Sequence, residues 1–505
     1  MLKAGLLSEM RQTQPSRGPS IPDTTLIAIY ALALGLSISV WFLAIRAPLW
    51  LDETISLFIV KHGFSQILSR QGWPGVPAYP YILCLWIKAV GTGEIALRCS
   101  SIAAMLGAAY LLYRAARELF VRDVAVIAAI VFCLHPVVVA EAMDIRPYAF
   151  AALAINASIF VLVRLRHSSS VWSAALFAFL AASIVYFQFL FAVALPALVL
   201  CFFSRKISDR KAYWRQICVA LVVFVIAFLP VIPGMRYMFH SSGVHVFDVA
   251  PTLADLARAL GQKRQLIVLT AVGLLAAATR RLDFRRPFDS WAALLCLSLA
   301  LTPILLLWGV STTTSIHIFV ARYRLVAAPG IALSWALVMS CIDSRALRSL
   351  FCIVFVAMSA CIYYRSPTAR QHDYSWKYAL EFAQKNASRD NAPVLICSDL
   401  PESDHTTLPT GAAVKDSALF APLAYYPLSV PVIALPRALN DEARRIGALF
   451  LQEVTPRHQR FLAVAYEASY DTVDWIQDAA SEAYDVRELG IFDRVEVVEF
   501  IPEKK

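Results

Sequence analysis

From Thr24 to Tyr364 the chain repeats one pattern: an apolar stretch near the ~20 residues a helix needs to cross a bilayer, then a short connection, then another stretch. About eleven such stretches are present, near 24–45, 96–117, 123–140, 148–165, 171–187, 188–204, 216–233, 265–279, 290–310, 323–342 and 349–364. Of the 505 residues, 59% are hydrophobic and 16% charged. A soluble chain runs nearer ~45–50% and ~25%, so this one could not cover its own core in water. Disordered, collagen-like and disulfide-scaffold classes fall on the same figures. The pattern predicts a mainly α, polytopic helical membrane bundle.

The charge distribution orients it. The net charge is +10, but residues 1–365 hold 32 Lys+Arg against 15 Asp+Glu, while residues 366–505 hold 14 against 21. The basic residues cluster after every second apolar stretch: Arg114/Arg117/Arg122, Arg164/Arg166, Arg205/Lys206/Arg210/Lys211/Arg215, Arg280/Arg281/Arg285/Arg286 and Arg345/Arg348. Positive loops stay on the cytoplasmic side. The N-terminal tail 1–23, with Lys3, Arg11 and Arg17, is then cytoplasmic, and the first stretch is a retained anchor rather than a cleaved signal. Basic loops that serve topology leave no ground for a nucleic-acid partner. Nine of the ten cysteines lie in or beside apolar segments, and none has metal spacing.

By the same alternation the loops 46–95, 141–147, 234–264 and 311–322, and the tail from Ser366, face outward. A full span within loop 46–95 would invert every later loop. Val76–Val90, with Tyr79, Tyr81 and Trp86, and Glu53–Leu68 therefore read as helices lying at the interface. In the tail, Tyr374–Ala387, Asn440–Glu453 and Thr472–Glu482 read as helices, and Val394–Cys397, Val430–Leu435, Phe461–Ala465 and Arg494–Ile501 as strands. That predicts a transmembrane domain over 24–365 and a periplasmic α/β domain over 366–505.

Charges near membrane depth are costly and mark function. Residues 1–365 put only seven carboxylates outside: Asp52, Glu53, Glu94, Glu141, Asp144, Asp248 and Asp255. Asp52 and Glu53 follow Pro48-Leu49-Trp50-Leu51 as the first span emerges. Adjacent acids cannot share a helix face, so one can act as general base at the mouth of a cavity; the plain alternative is that one caps the following helix. Asp144 and Arg146 lie in a short turn ahead of Pro147-Tyr148, where the arginine can grip a phosphate or close an ion pair. Arg322 and Arg324 enter a span from the outside, as does Arg98; a lipid headgroup or a lipid-linked phosphate would answer them. His317 reads as a loop residue or, less simply, a metal ligand. There is no GxxxxGK[ST], no GxGxxG after a strand, no HExxH and no GxSxG. With no nucleotide site, the energy for an outer-face reaction must arrive in an activated substrate.

The order PLWLDE, then GTGEIALRCSSIAAMLGAAYLLYRAARELF, HPVVVAEAMDIRPYAFAAL and FVARYRLVAAPGIAL resembles the C-type membrane glycosyltransferases, in the branch similar to protein O-mannosyltransferases and lipid A aminoarabinose transferases. The likeness spans 24–200 well and 315–340 moderately. It implies a polyprenyl-phosphate-linked sugar donor, a glycan, lipid or protein acceptor, and inversion on the periplasmic face of a bacterial inner membrane. It implies Asp52 as base, with Glu53 orienting the site or helping to hold a possible divalent cation. Arg146, Arg322 and Arg98 become candidates for the donor phosphate, and Asp144, Tyr148, Tyr323 and Tyr79 for the substrate's neighbourhood. Relatives often carry His-Pro-Pro where this chain has Gly75-Val76-Pro77, which leaves donor and acceptor choice open. The competing reading is a transporter or flippase of lipid-linked sugars, which would need charges spread through mid-membrane helices; the fifth to ninth stretches carry almost none.

Overall fold

The computed structural model describes residues 22–70, 78–207, 209–240, 250–261, 263–282, 289–366 and 376–503. Lys3, Arg11, Arg17, Gly75–Pro77, Asp248, Arg285, Arg286 and Tyr374 lie outside these. All eleven apolar stretches are helical. Among the described residues seven helices are long and apolar enough to cross a membrane: Asp23–Ala44, Glu94–Leu119, Tyr148–Leu165, Arg210–Met238, Ser290–Thr313, Ala321–Ser340 and Arg345–Arg365. Val171–Phe187, Phe189–Phe203 and Leu266–Ala278 are apolar but shorter.

The stretch expected to run unbroken over 123–140 does not. Its helix is Arg122–Cys133, and a second, Pro136–Glu141, follows after a break. Pro136 has no N–H to give and pushes His135 out of the helical region. The carbonyls left over find side chains: the Trp41 indole N–H donates to Cys133 O (2.9 Å) and the Tyr363 hydroxyl to Leu134 O (2.9 Å). Without water, such groups must be satisfied inside the protein.

Small residues let the helices approach closely. Ala104, Ala108, Ala149 and Ala152 are buried together where Glu94–Leu119 and Tyr148–Leu165 pack. At Gly330 a Cβ would come within 2.2 Å of the backbone of Leu299 and Ala300. Only glycine lets the end of the segment that carries Arg322 seat against Ser290–Thr313.

The C-terminal part forms a five-stranded sheet in the order β2-β1-β3-β5-β4, with β1 Val394–Cys397, β2 Val432–Leu435, β3 Phe461–Tyr466, β4 Tyr484–Phe492 and β5 Val495–Pro502. β1 is parallel to β2 and β3; β5 is antiparallel to β3 and β4. Helix Trp376–Ala387 packs on one face and Asp441–Val454 with Tyr470–Ala480 on the other. Strand β4 was not predicted. Its residues DVRELG are half-exposed on a sheet edge, with a register shift between Glu488 and Gly490, so the buried alternation that marks a strand is missing.

This unit sits on the segment between the first two long spans. Tyr426 Oη donates to Glu94 (2.9 Å) and accepts from Leu49 N–H (3.1 Å), and Lys377 donates to Glu94 (3.1 Å). Asp416 receives Arg70 at 2.8 Å, with Lys61 and His62 beside it; the Arg70 guanidinium above all holds its carboxyl well below the usual range. Ala421 shares a core with Leu49, Leu57, Ile67, Leu97 and Ile145.

Candidate active site

The turn after the first long span folds around one buried cation. Arg98, 1% exposed, donates to the carbonyls of Ile45 (3.0 Å), Ala47 and Pro48 (3.1 Å) and to Glu53 (3.0 Å). Glu53 is fully buried. Beyond Arg98 it accepts the N–H of Ile145 (3.1 Å) and, reaching back, that of Trp50 (3.3 Å). The last contact caps the helix Leu51–Val60, so the capping alternative is realised, by Glu53. Burial pushes the Glu53 carboxyl up to about 8, against the pull of Arg98 and the Ile145 N–H.

Asp52, one residue earlier, turns the other way. Its Oδ2 takes Arg322 at 2.8 Å and lies 3.5 Å from Arg146. Arg146 also donates to the Asp52 carbonyl (3.1 Å). All three side chains keep partial exposure, 17%, 23% and 32% for Asp52, Arg146 and Arg322. A helix turns about 100° per residue, which is how adjacent acids reach two environments.

Asp144 is buried and accepts the Trp50 indole N–H (2.9 Å), while its carbonyl takes the Ser101 hydroxyl (2.6 Å). Arg146, two residues on, therefore has Asp52 rather than Asp144 as its ion-pair partner. Tyr148 stands edge-on to Tyr323, 6.4 Å between ring centroids. Arg322 lies over the Tyr323 ring. Tyr79, Arg146, Tyr148, Gln188, Met238 and Tyr323 line one groove. The Tyr79 hydroxyl and the Arg146 Nε are buried there without hydrogen-bond partners, and so is the Nε of Arg322, the other arginine on Asp52. A buried donor left unmade is costly, and unmade donors in this cluster suit a polar, anionic ligand.

Of the nine predicted site residues, Arg146, Arg322, Tyr148 and Tyr323 gather at Asp52 and Tyr79 lies on the same groove, while Glu53 and Asp144 are buried behind them. Arg98 is the exception: sealed behind the loop and saturated by carbonyls, it orders the turn and cannot reach a phosphate. Among the described residues no three His, Cys, Asp or Glu side chains converge as a metal cage. Glu53, offered for a cation, has both oxygens committed to hydrogen bonds. His317 bonds Ser311 O (2.8 Å) as a loop residue. Two acids lie near the site beyond those predicted. Glu141 is buried within charge range of Asp144, Arg146 and Arg322, with one oxygen unpartnered. Asp399, from the C-terminal unit, senses the charge of Asp52.

The helical bundle with its C-terminal α/β unit is shared with solved structures, and the resemblance read in the sequence holds at the level of the fold. Residues 74–232 match the family described as dolichyl-phosphate-mannose-protein mannosyltransferase. ArnT from Cupriavidus metallidurans, solved bound to undecaprenyl phosphate, is 12% identical, with 95% of this chain and 98% of that one covered and a TM-score of 0.53. The archaeal oligosaccharyltransferase AglB from Archaeoglobus fulgidus, in complex with an inhibitory peptide and a dolichol-phosphate, is 11% identical over 95% of this chain and 74% of that one, with a TM-score of 0.50. No curated protein matches the sequence.

Proposed function

We propose that this chain is a bacterial inner-membrane glycosyltransferase. It moves a sugar from a polyprenyl-phosphate-linked donor to a hydroxyl of a glycolipid, lipopolysaccharide or protein, on the periplasmic face and with inversion. The observation that carries the reading is the Asp52 carboxylate, partly accessible and held between Arg146 and Arg322 beside the tyrosine-lined groove.

In the resting chain the two guanidiniums occupy the Asp52 carboxylate. A donor phosphate entering the groove competes for both guanidiniums and frees Asp52 as the charge arrives. Asp52 then takes the proton of the acceptor hydroxyl. The acceptor oxygen bonds to the anomeric carbon from the face opposite the phosphate as the C–O bond to phosphate breaks. The leaving phosphate keeps the electron pair, and Arg146 and Arg322 hold its charge. Tyr148 and Tyr323 fix the two arginines. Glu53 and Arg98 hold Asp52 in place from behind.

The test is release of polyprenyl phosphate from a panel of synthetic polyprenyl-phosphate sugars, with membrane-extract acceptors present, by wild type and Asp52→Asn. Release that disappears in a folded Asp52→Asn protein supports the reading. Asp52→Asn activity at the wild-type level sinks the assignment. Absence of release from every donor by folded wild type turns the reading to a transporter of lipid-linked sugars.

A further inference from the structure

Among the described residues three arginines are buried: Arg98, Arg205 and Arg348. Two of them have a carboxylate. Arg98 donates to Glu53 at 3.0 Å, and Arg348 pairs with Asp123 at 2.5 Å. Arg205, 4% exposed, has no acid among the described residues. Its Nε donates to Phe202 O (2.7 Å) and its Nη1 to Gln216 Oε1 (3.1 Å), with Leu165 O at 3.5 Å. Its Nη2 is buried and makes no hydrogen bond, and the guanidinium lies over the Phe202 ring, 3.9 Å from the centroid. A buried charge without an ionic partner is costly. The carbonyls at two helix ends offset part of that cost, but they leave Nη2 unmade.

Arg205 stands at the end of the bundle away from Asp52. The helix Tyr148–Leu165 starts two residues after Arg146 and ends at the carbonyl that Arg205 approaches. Residues 204–215, which join Phe189–Phe203 to Arg210–Met238, carry five cations, Arg205, Lys206, Arg210, Lys211 and Arg215, and one acid, Asp209. That acid is committed: it accepts the N–H groups of Lys211 (2.8 Å) and Ala212 (3.2 Å) and caps the second helix. Arg205, Lys206, Ile207 and Tyr213 line an open pocket of about 350 Å³. Beside it the two helices turn apolar side chains outward, Leu200 and Phe203 on one, Trp214 and Leu221 on the other. An exposed indole and apolar side chains next to a basic loop mark the level where acyl chains meet headgroups.

We propose that this pocket binds an anionic phospholipid of the leaflet facing the basic loops. Its phosphate oxygens accept from Arg205 and Lys206 and supply the negative charge that the chain itself does not give Arg205. A guanidinium and an ammonium at one point suit a phosphate. A net-negative headgroup fits better than a zwitterionic one, because Lys206, Arg210, Lys211 and Arg215 have no carboxylate partner among the described residues and the loop's acid is committed to the helix cap. A lipid fits better than free phosphate, because the apolar side chains beside the pocket are covered by acyl chains and not by water. The site lies apart from the Asp52 cluster, and its occupancy does not depend on the reaction there.

The experiment takes the full-length protein, delipidated in detergent micelles, and titrates dioleoylphosphatidylglycerol, dioleoylphosphatidylcholine and inorganic phosphate in parallel. Bound lipid is read by native mass spectrometry and protection by the melting temperature. Wild type should bind phosphatidylglycerol more tightly than phosphatidylcholine and gain melting temperature with it, since a ligand held only by the folded state stabilises it. In Arg205→Gln the half-saturating phosphatidylglycerol concentration should rise about tenfold or more, the loss of a charge-assisted contact. Lys206→Gln, at an exposed side chain, should raise it about threefold to tenfold, and it carries the test if Arg205→Gln does not fold. Arg117→Gln removes an exposed cation from a different basic loop and should leave it unchanged. Unchanged phosphatidylglycerol affinity in folded Arg205→Gln and Lys206→Gln overturns the proposal, and a lower melting temperature of Arg205→Gln with that affinity intact makes Arg205 structural only. Equal binding of the two lipids overturns it as well. Protection by inorganic phosphate alone would make the ligand a free anion. A loss in Arg117→Gln as large as in Arg205→Gln would mean diffuse attraction to a basic surface and no built site.

Discussion

Asp52 and Glu53 are neighbours in sequence, each bound to arginine, and the two pairs are built for opposite ends. The Glu53–Arg98 pair is sealed: both side chains are almost fully buried, every Glu53 oxygen accepts a hydrogen bond, and Arg98 spends its other donors on three loop carbonyls. The Asp52 pair is open: its arginines retain exposure, keep unpartnered Nε atoms and border a groove. A closed, saturated pair fixes geometry. An open pair with donors to spare can exchange its partner for a ligand.

The largest effect should separate chemistry from architecture. Asp52→Asn should lower transfer by about 10²–10⁴-fold, the range of a lost general base, with thermal stability near wild type because its environment is part-solvated. Polyprenyl phosphate should bind the variant at least as tightly, since Arg146 and Arg322 no longer have a competing carboxylate. Weaker binding, followed by tryptophan fluorescence, would contradict the exchange of partners.

Breaking the closed pair should act on the fold. Arg98→Met strands Glu53 and three carbonyls, and removing one partner of a buried pair costs about 3–5 kcal/mol. The expected result is a lower melting temperature, with donor binding lost in step with folding. A variant that melts like wild type and loses only phosphate affinity would return Arg98 to the donor site.

Arg322→Ala should be milder. It removes one charge-assisted contact worth about 1.5–3 kcal/mol, so polyprenyl phosphate affinity should fall by about 10–100-fold without a change in melting temperature. Arg146→Ala should do the same with some added instability, because Arg146 also holds the Asp52 carbonyl. Equal affinity in either variant would remove that arginine from the phosphate.

The open pair was more legible in the sequence than the closed one. Costly outer-face charges stood out against an apolar background, and the order of PLWLDE, MDIRPY and VARYR carried Asp52, Arg146 and Arg322 together. That background did not tell which arginine looks inward. Arg98 and Arg322 both sit at the outer entry of a span, and only the path of residues 45–48 around Arg98 decides between them. The helices were plain from length and apolarity, except where Pro136 breaks one. Edge strand β4 lacks the buried alternation that reveals β3. Asp399 could have been singled out, since it follows the buried run VLIC of a predicted α/β unit, but the packing that buries it is a property of the whole sheet.

The smallest effect tests whether the small cavity that holds Asp399, with Leu51, Trp376, Phe420 and Leu423, is as closed as the donor side is open. The Asp399 carboxyl lies at about 7 in the folded chain, above the roughly 3.9 of an unfolded aspartate. Between those values the folded state binds the extra proton, so this residue's contribution to stability is present at low pH and lost as pH rises through about 7. Partial exposure discounts the full shift to about 1–2 kcal/mol. Asp399→Asn removes the slope: relative to wild type it should gain stability from pH 5 to pH 8, read as a difference in urea midpoints. Arg437 and Asp52, the charged groups within range of Asp399, are present in both proteins and cancel in the difference. Parallel curves for the two proteins would mean that Asp399 is ionised throughout and that water reaches the cavity as freely as it reaches Asp52.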